Sequence, residues 1–440
     1  MNQPISVIIV GAGMAGLAAA RHLVAAGVSV KLLEGRDRIG GRTYTDYALG
    51  ASVDLGAAWI HGPLGNPLTP LAEQFGVRGA LTDFNNQRLN NVLAFDSDGR
   101  KLDPVAYVRG SNRFRGAIAH ATASILYQPP PAECRSLADL YAYGLPGIDL
   151  DRMSRDERLG YHYAAVIRPQ YEEASDLALV DWRLSQQYLH LPGGDLLLSS
   201  GGYSQLIQGL AEGLDIALNT AVTAIDYQTT PIQLQTNQGD FSADYVIVTV
   251  PLAILQQERI TFNPPLPAAK QLAIKRLGMG HYEKIALKFP QVFWPLEPQR
   301  INYLGEEETP LYTAWLNHAH YSGEPILIAY HSGSRAQTIN QLSDEALIAG
   351  CLRTLRTMFG PAVVEPVAYL RTHWEHDPFS GGSYSFSKVG SEAGDRTLLA
   401  APVNGTLFFA GEATHPRYFG TVHAAFETGI QAAQGILTGL

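Results

Sequence analysis

The sequence predicts an α/β fold, α+β overall, on three observations. The chain opens strand, glycine turn, helix, strand. α/β character returns between Gly201 and Val250. A last apolar strand and helix then close the chain. Ile5 to Val10 (ISVIIV) is short, apolar and β-branched, so it reads as a buried strand. Gly11, Gly13 and Gly16 follow at GxGxxG spacing, and Met14 to Ala26 is helical in composition up to Gly27. Val28 to Leu33 is a second strand, ended by Glu34. In such a unit Gly11 allows the tight turn and Gly13 lets backbone approach a pyrophosphate. Gly16 lets the helix pack on the sheet. The helix start at Met14 and Ala15 faces phosphates, and Glu34 is placed to accept hydrogen bonds from a ribose. A GxGxxG alone is weak; in this order of elements it predicts a Rossmann-like dinucleotide site.

The later elements follow the same logic. Ser204 to Gly213 reads as a helix, Ile216 to Asp226 and Tyr245 to Val250 as strands, and Leu407 to Ala410 as a final buried strand. The last helix begins at Thr421. Residues from about 80 to 190 are mixed, with a polar helical stretch from Leu150 to Tyr163. Glu283 to Phe289 (EKIALKF) alternates like a half-exposed strand of a second sheet. The pattern predicts a Rossmann-like cofactor domain assembled from residues 1–79, 194–265 and 390–440. A discontinuous substrate domain, residues 80–193 and 266–389, would hold a mixed sheet flanked by helices.

A chain of 440 residues suffices for two or three domains. Its net charge of −9 argues against a nucleic-acid-binding surface. Cys134 and Cys351 are too few for a disulfide framework and lack metal spacing, so no metal is expected. Cys351 falls on the apolar side of a helix from Asp344 to Phe359, as core filler. No signal peptide precedes the first strand and no apolar run is long enough to span a bilayer. The expectation is a cytoplasmic protein, monomeric or weakly dimeric. No serine, histidine and acid set lies at a hydrolase motif.

Arg36, Gly40, Gly41 and Arg42 (EGRDRIGGR) follow directly on the acid. An arginine beside two glycines offers a bidentate phosphate donor with room for backbone approach. Together with the first motif, this stretch resembles the FAD-binding signature of the flavin-containing amine oxidase superfamily, and the resemblance extends over nearly the whole chain. Gly35 stands where that family usually carries Ala, a change expected to have no effect. Gly201 to Asp226 resembles the middle FAD segment, in which Val222 would meet the adenine through its backbone. Gly411 and Glu412 (AGEATH), with Gly420, Thr421 and Val422 (GTVHAAFETG), resemble the C-terminal segment. There the acid binds the ribitol or ribose region and helix N–H groups meet the flavin pyrimidine ring. A helix N-terminus suits this place because its positive end stabilises negative charge on the reduced ring. The resemblance also puts Gly56, Ala57, Ala58 and Trp59 at the cofactor.

The same resemblance assigns the chemistry. Lys284 (GHYEKIALKF) matches a lysine that reaches flavin N5 through a water, and Trp374 a tryptophan that packs beside the flavin. In FSGGSYSF, Ser383 replaces the cysteine that links monoamine oxidases to their flavin, which implies non-covalent FAD. Tyr384 matches one wall of an aromatic cage; the opposing tyrosine is Thr421 here, which counts against a monoamine oxidase. His61 lies in WIHGPLGNP, a run that looks closest to the animal-type polyamine oxidases. Glu172 and Glu173 (YEEASD) fall where the plant enzymes place an acid facing a distal ammonium. The implied reaction is hydride transfer from a neutral polyamine to flavin, imine hydrolysis and O2 reduction to H2O2. Other amine or L-amino-acid oxidases are the alternative, although no arginine clearly matches one aimed at a substrate carboxylate.

Overall fold

The computed structural model describes residues 5–83, 89–125, 127, 130–145, 148–306 and 308–439. Ser6–Val10 is the middle strand of a five-stranded parallel sheet, in the order Leu407–Phe409, Tyr245–Val248, Ser6–Val10, Ser29–Leu33, Asp215–Ala217. Parallel strands are covered on both faces, so they read as unbroken apolar runs; Val7 to Val10 are all buried. The chain fills one flank of the middle strand first and the other flank later. A switch point therefore lies between Ser6–Val10 and Tyr245–Val248, where open α/β sheets bind ligands beyond the strands' carboxyl ends.

Gly11 sits at that point with φ +104°, and a Cβ there would meet Thr249 Oγ1 at 2.7 Å. A Cβ on Gly16 would run into the Gly11 carbonyl, so only glycine lets the helix Met14–Ala25 lie this close to the first strand. The C-terminal helix Val422–Gly439 packs on the same helix, with Gly429 against the Ala15 backbone. Ile9, Leu17, Leu23 and Leu32 are fully buried in this layer, each worth about 1.5–3 kcal/mol of transfer free energy.

The second sheet is mixed. Its order is Ala368–Arg371, Tyr282–Lys288, Ile326–Ser332, Ala314–Asn317, Arg300–Leu304, Val92–Asp96, and only the last pair is parallel. The helix Asp344–Phe359 covers one face; Ser343 caps its start by accepting from Ala346 N–H, and Gly360 ends it at φ +64°. Cys351 is buried in that core with Ile285, Leu287, Trp315 and Leu327. The other face carries Tyr282, Lys284, Tyr330, Ala314, Leu316, Arg300 and Asn302, all lining one large cavity. A three-stranded sheet, Trp59–His61, Asp195–Ser200, Arg78–Thr82, stands beside that cavity. Among the described residues, no helix is long and apolar enough to cross a membrane.

Three elements depart from expectation. The strand read from Glu283 is not half-exposed: Glu283 to Leu287 are all buried, because the sheet is covered on both sides. The run from Ile216 to Asp226 divides between two sheets. Asp215–Ala217 joins the parallel sheet, while Val222–Asp226 joins a four-stranded one after a turn with Asn219 at φ +54°. The polar stretch from Leu150 becomes a short 3-10 turn, Leu150–Arg152, and a helix, Arg155–His162. Ser154 and Glu157 form a capping box at its start. One π turn, Tyr163–Ile167, then leads into Arg168–Glu173. Glu172 thus lies near a helix end.

Candidate active site

One cavity of about 1450 Å³ runs from the glycine turn to the inner face of the mixed sheet. Small-ligand pockets typically span roughly 300–1,000 Å³, so this one has room for a dinucleotide and a substrate together. Of the residues singled out in the sequence, all but Gly16 line it; Gly16 instead holds helix to strand.

At the nucleotide end, Glu34 accepts from the backbone N–H groups of Ala12 at 2.8 Å and Arg36 at 2.9 Å. These bonds fix the carboxylate at the strand tip and leave lone pairs for a diol, since a carboxylate offers about four acceptor sites. A Cβ on Gly13 would find only the Gly40 carbonyl, at 3.9 Å, so the helix N-terminus is open to a phosphate. Arg36 spends its fork on Asp377, with both N···O distances at 2.6 Å, and its guanidinium lies over Phe379. Gly35 is also held to glycine: a Cβ there would strike the Phe379 ring. Val222 lines the cavity at an irregular step in its strand pairing.

At the C-terminal motif, Glu412 is buried and fully engaged. Its oxygens accept from Arg42 at 2.8 Å, Ser385 Oγ at 2.6 Å and Gly420 N–H at 2.9 Å. Burial would raise its pKa, but Arg42, the Ser385 hydroxyl and Arg396 outweigh burial and hold it below the ordinary carboxylate range. Through Gly420, this ionised carboxylate anchors the start of the last helix. Thr421 caps the helix, accepting from Ala424 N–H at 3.2 Å while donating to the Tyr418 carbonyl.

Lys284 is buried, and its Nζ donates to the carbonyls of Asp54 at 2.8 Å and Gly56 at 2.6 Å. Trp59 and Tyr330 rings lie 5.9 and 5.5 Å from the nitrogen. Burial lowers the pKa of Lys284, opposed by Asp54. With two carbonyls satisfied, the ammonium has one donor left and the neutral amine has a lone pair, either of which is able to hydrogen-bond a water. Trp374 Nε1 donates to the Leu55 carbonyl next door.

The aromatic wall is larger than the sequence suggested. Tyr384 donates to the Tyr171 carbonyl, and its ring lies 6.1 Å from Tyr282. Tyr282 is 5.8 Å from both Tyr171 and Tyr330, and Tyr330 is 5.9 Å from Trp59. Burial pushes Tyr384, Tyr282 and Tyr330 well above the ordinary phenol range, so these rings stay neutral. Tyr171, Tyr282 and Tyr330 were missed in the sequence. Strand alternation puts Tyr282 on the same face as Lys284, a signal that could have been read; Tyr330 needs the pairing register. Ser383 stands at the cavity wall, accepting from Tyr282 N–H at 2.6 Å.

Three predicted substrate contacts have partners of their own. His61 Nδ1 lies 2.6 Å from Asp195. Glu172 is half-exposed and pairs with Arg168 at 2.7 Å. Glu173, its neighbour, accepts from Ser185 Oγ at 2.9 Å, and burial pushes its carboxyl up to about 7. Among the described residues, no group of acidic, histidine and cysteine side chains could hold a metal.

Comparison with known proteins agrees with this geometry. The profile of the flavin containing amine oxidoreductase family matches residues 14–437. Polyamine oxidase 4 of Oryza sativa subsp. japonica is 35% identical over 456 residues, covering 98% of this chain and 88% of that protein. Probable polyamine oxidase 4 of Arabidopsis thaliana is 34% identical, with 98% and 86% covered. Lysine-specific histone demethylase 2 of Homo sapiens is 34% identical, but this chain spans only 53% of its length. The solved structure of a redesigned putrescine oxidase double mutant superposes with a TM-score of 0.77 at 22% identity, covering 99% of this chain and 100% of that one. Motif set, cavity and full-length similarity converge: the chain belongs to the flavin-containing amine oxidoreductase family and is an FAD-dependent amine oxidase.

Proposed function

We propose that this enzyme is a polyamine oxidase that oxidises a C–N bond of a spermine- or spermidine-like amine. One observation carries the reading: the cavity is walled by a cage of Tyr171, Tyr282, Tyr330 and Tyr384 with Lys284 beside it. When bound, FAD supplies hydride acceptance and electron transfer to O2, so that imine hydrolysis and H2O2 release complete turnover. The glycine turn, Glu34, Arg42, Val222, Glu412 and the Gly420 to Val422 helix start would hold it.

The chain's own residues bind, orient and exclude water. The neutral phenol rings desolvate the reacting amine, which favours its uncharged form because burial penalises a cation. Lys284 adds to that penalty while protonated and holds a water at the cage. Glu172 is answered by Arg168, so Glu173 is the better acceptor for a second substrate nitrogen. Thr421 in place of an aromatic wall leaves space for a linear rather than a ring-bearing amine. The division into a cofactor domain and a twice-inserted substrate domain belongs to the same reading, supported by the separate parallel and mixed sheets. So does a reducing cytoplasmic setting, supported by the two free buried cysteines. Peroxide release measured across spermine, spermidine, their acetyl forms, tyramine and L-amino acids tests the proposal. Tyramine or an amino acid as the best substrate would contradict it.

A further inference from the structure

Lys284 is held at both ends. Its Nζ donates to the carbonyls of Asp54 at 2.8 Å and Gly56 at 2.6 Å. The carbonyl between them, of Leu55, accepts from Trp374 Nε1 at 3.2 Å. Three successive carbonyls thus end on two side chains whose residues line the cavity. At the backbone end, Lys284 N–H donates to Thr372 Oγ1 at 2.8 Å, and Thr372 N–H donates back to the Lys284 carbonyl at 3.0 Å. The Thr372 hydroxyl in turn donates to Glu283 Oε2 at 2.5 Å. The other Glu283 oxygen accepts from Glu375 N–H at 3.1 Å and from Asn340 Nδ2 at 3.2 Å.

Glu283 and Thr372 are buried, and neither lines the cavity. Successive strand residues point to opposite faces, so Glu283 sits behind the sheet, on the side of Asn340, while Lys284 faces the cavity. A carboxylate only accepts. It therefore takes the single hydroxyl proton of Thr372 and leaves the oxygen's lone pairs for Lys284 N–H. Through the Glu375 N–H the same acid grips the chain on the far side of Trp374 as well.

We propose that Glu283 and Thr372 are positioning residues, which lock Lys284 and Trp374 into one unit with the carbonyls of Asp54 to Gly56. Both act through the placement of Lys284 Nζ and the Trp374 ring. The proposal rests on the assignment of Lys284 to the flavin chemistry. A lysine tip stands at the end of a flexible stem, so it is only as well placed as the two ends that hold it. A displacement of about 1 Å at a reacting centre costs on the order of a hundredfold in rate.

The test is a double-mutant cycle in the FAD-saturated enzyme, read as anaerobic flavin reduction by the best amine of the peroxide screen and as reoxidation by O2. Thr372→Val keeps the side chain's shape and removes the hydroxyl; Thr372→Ser keeps the hydroxyl. Thr372→Val should slow the half-reaction that Lys284→Met slows by at least about tenfold, and Thr372→Ser should restore most of the rate. The apparent Kd of the amine should change by less than about threefold, because the substrate's own contacts remain. Added to Lys284→Met, Thr372→Val should slow that step by less than about twofold more, because the effects of residues in one hydrogen-bond network do not add. Glu283→Gln, with the hydroxyl intact, should give the same pattern and serves where Thr372→Val does not fold. FAD binding to the apoprotein is a second readout: Thr372→Val should raise its Kd severalfold through Trp374, and Thr372→Ser should not. Equal slowing by Thr372→Val with and without Lys284 is what a general loss of structure gives, and it overturns the positioning role. Wild-type rates in Thr372→Val and Glu283→Gln overturn it too. Wild-type rates in Lys284→Met overturn the assignment beneath the proposal and the proposal with it. A wild-type flavin that no amine reduces would instead overturn the proposed function.

Discussion

Replacing Glu412 by Gln keeps the side chain's shape and removes its charge. In the native site one oxygen accepts from Arg42, and the other accepts from Ser385 Oγ and Gly420 N–H. An amide turns one of those acceptors into a donor that faces a donor. Removing one partner of a buried ion pair costs about 3–5 kcal/mol, because the remaining charge stays buried and unanswered. Against a total stability of about 5–15 kcal/mol, that is a large share. The Gly420 to Val422 helix start also loses its anchor, so FAD retention should fall with stability. Urea unfolding of the holoenzyme followed by tryptophan emission gives the first quantity, and flavin retained after gel filtration gives the second. Glu427→Gln is the control: Glu427 pairs with His415 at 3.2 Å with its side chain partly exposed, and should cost about 1 kcal/mol or less. The pH dependence has a definite sign. The folded pKa of Glu412 is held below its unfolded value near 4.5. Its contribution is therefore fully present above that value and is lost as pH falls through the lowered folded one. Glu412→Gln should remove this acid limb. An unchanged unfolding midpoint and unchanged flavin retention would refute the reasoning.

Other expectations follow from single contacts. Gly35→Ala should weaken FAD retention and cost about 1–3 kcal/mol, because the Phe379 ring under Arg36 has to move; a variant indistinguishable from wild type would show that the ring yields freely. Ser383 has no thiol to offer, so acid precipitation should release all FAD into the supernatant, and colour left in the pellet would contradict this. Lys284→Met should retain FAD but slow flavin reduction, reoxidation or both. Wild-type rates for both half-reactions in stopped flow would remove Lys284 from the chemistry.

The parallel sheet was legible because its signals are local. GxGxxG between a β-branched run and an alanine-rich helix, then an acid, admits few other folds, and the first two strands and the helix fall within a residue of expectation. The mixed sheet was harder. EKIALKF alternates, and Ile285 and Leu287 pack beneath the helix Asp344–Phe359, but Lys284 and Ala286 on the face read as exposed are covered by the distant segment around Asp54 to Gly56, which alternation cannot reveal. The site divides in the same way. Residues within motifs line the same cavity. Tyr330 became visible only once strand register joined distant segments. Gly35 looked like a harmless variation until Phe379, far away in sequence, proved to occupy the space of a Cβ. The sequence pointed to Glu172 rather than Glu173 as the substrate acid, but the helix phase that pairs Glu172 with Arg168 and turns Glu173 toward Ser185 depends on the π turn before them.

The central claim is that a neutral amine, desolvated in the tyrosine cage beside Lys284, is oxidised with reduction of the flavin. The most direct measurement is the anaerobic stopped-flow rate of flavin reduction by spermidine as a function of pH. A buried apolar cage disfavours a cation at the reacting nitrogen, so its pKa falls on binding and the reactive form gains with rising pH. The account predicts a rate that climbs through neutrality and levels off on the alkaline side. A rate that is fastest in acid and declines as pH rises would contradict it.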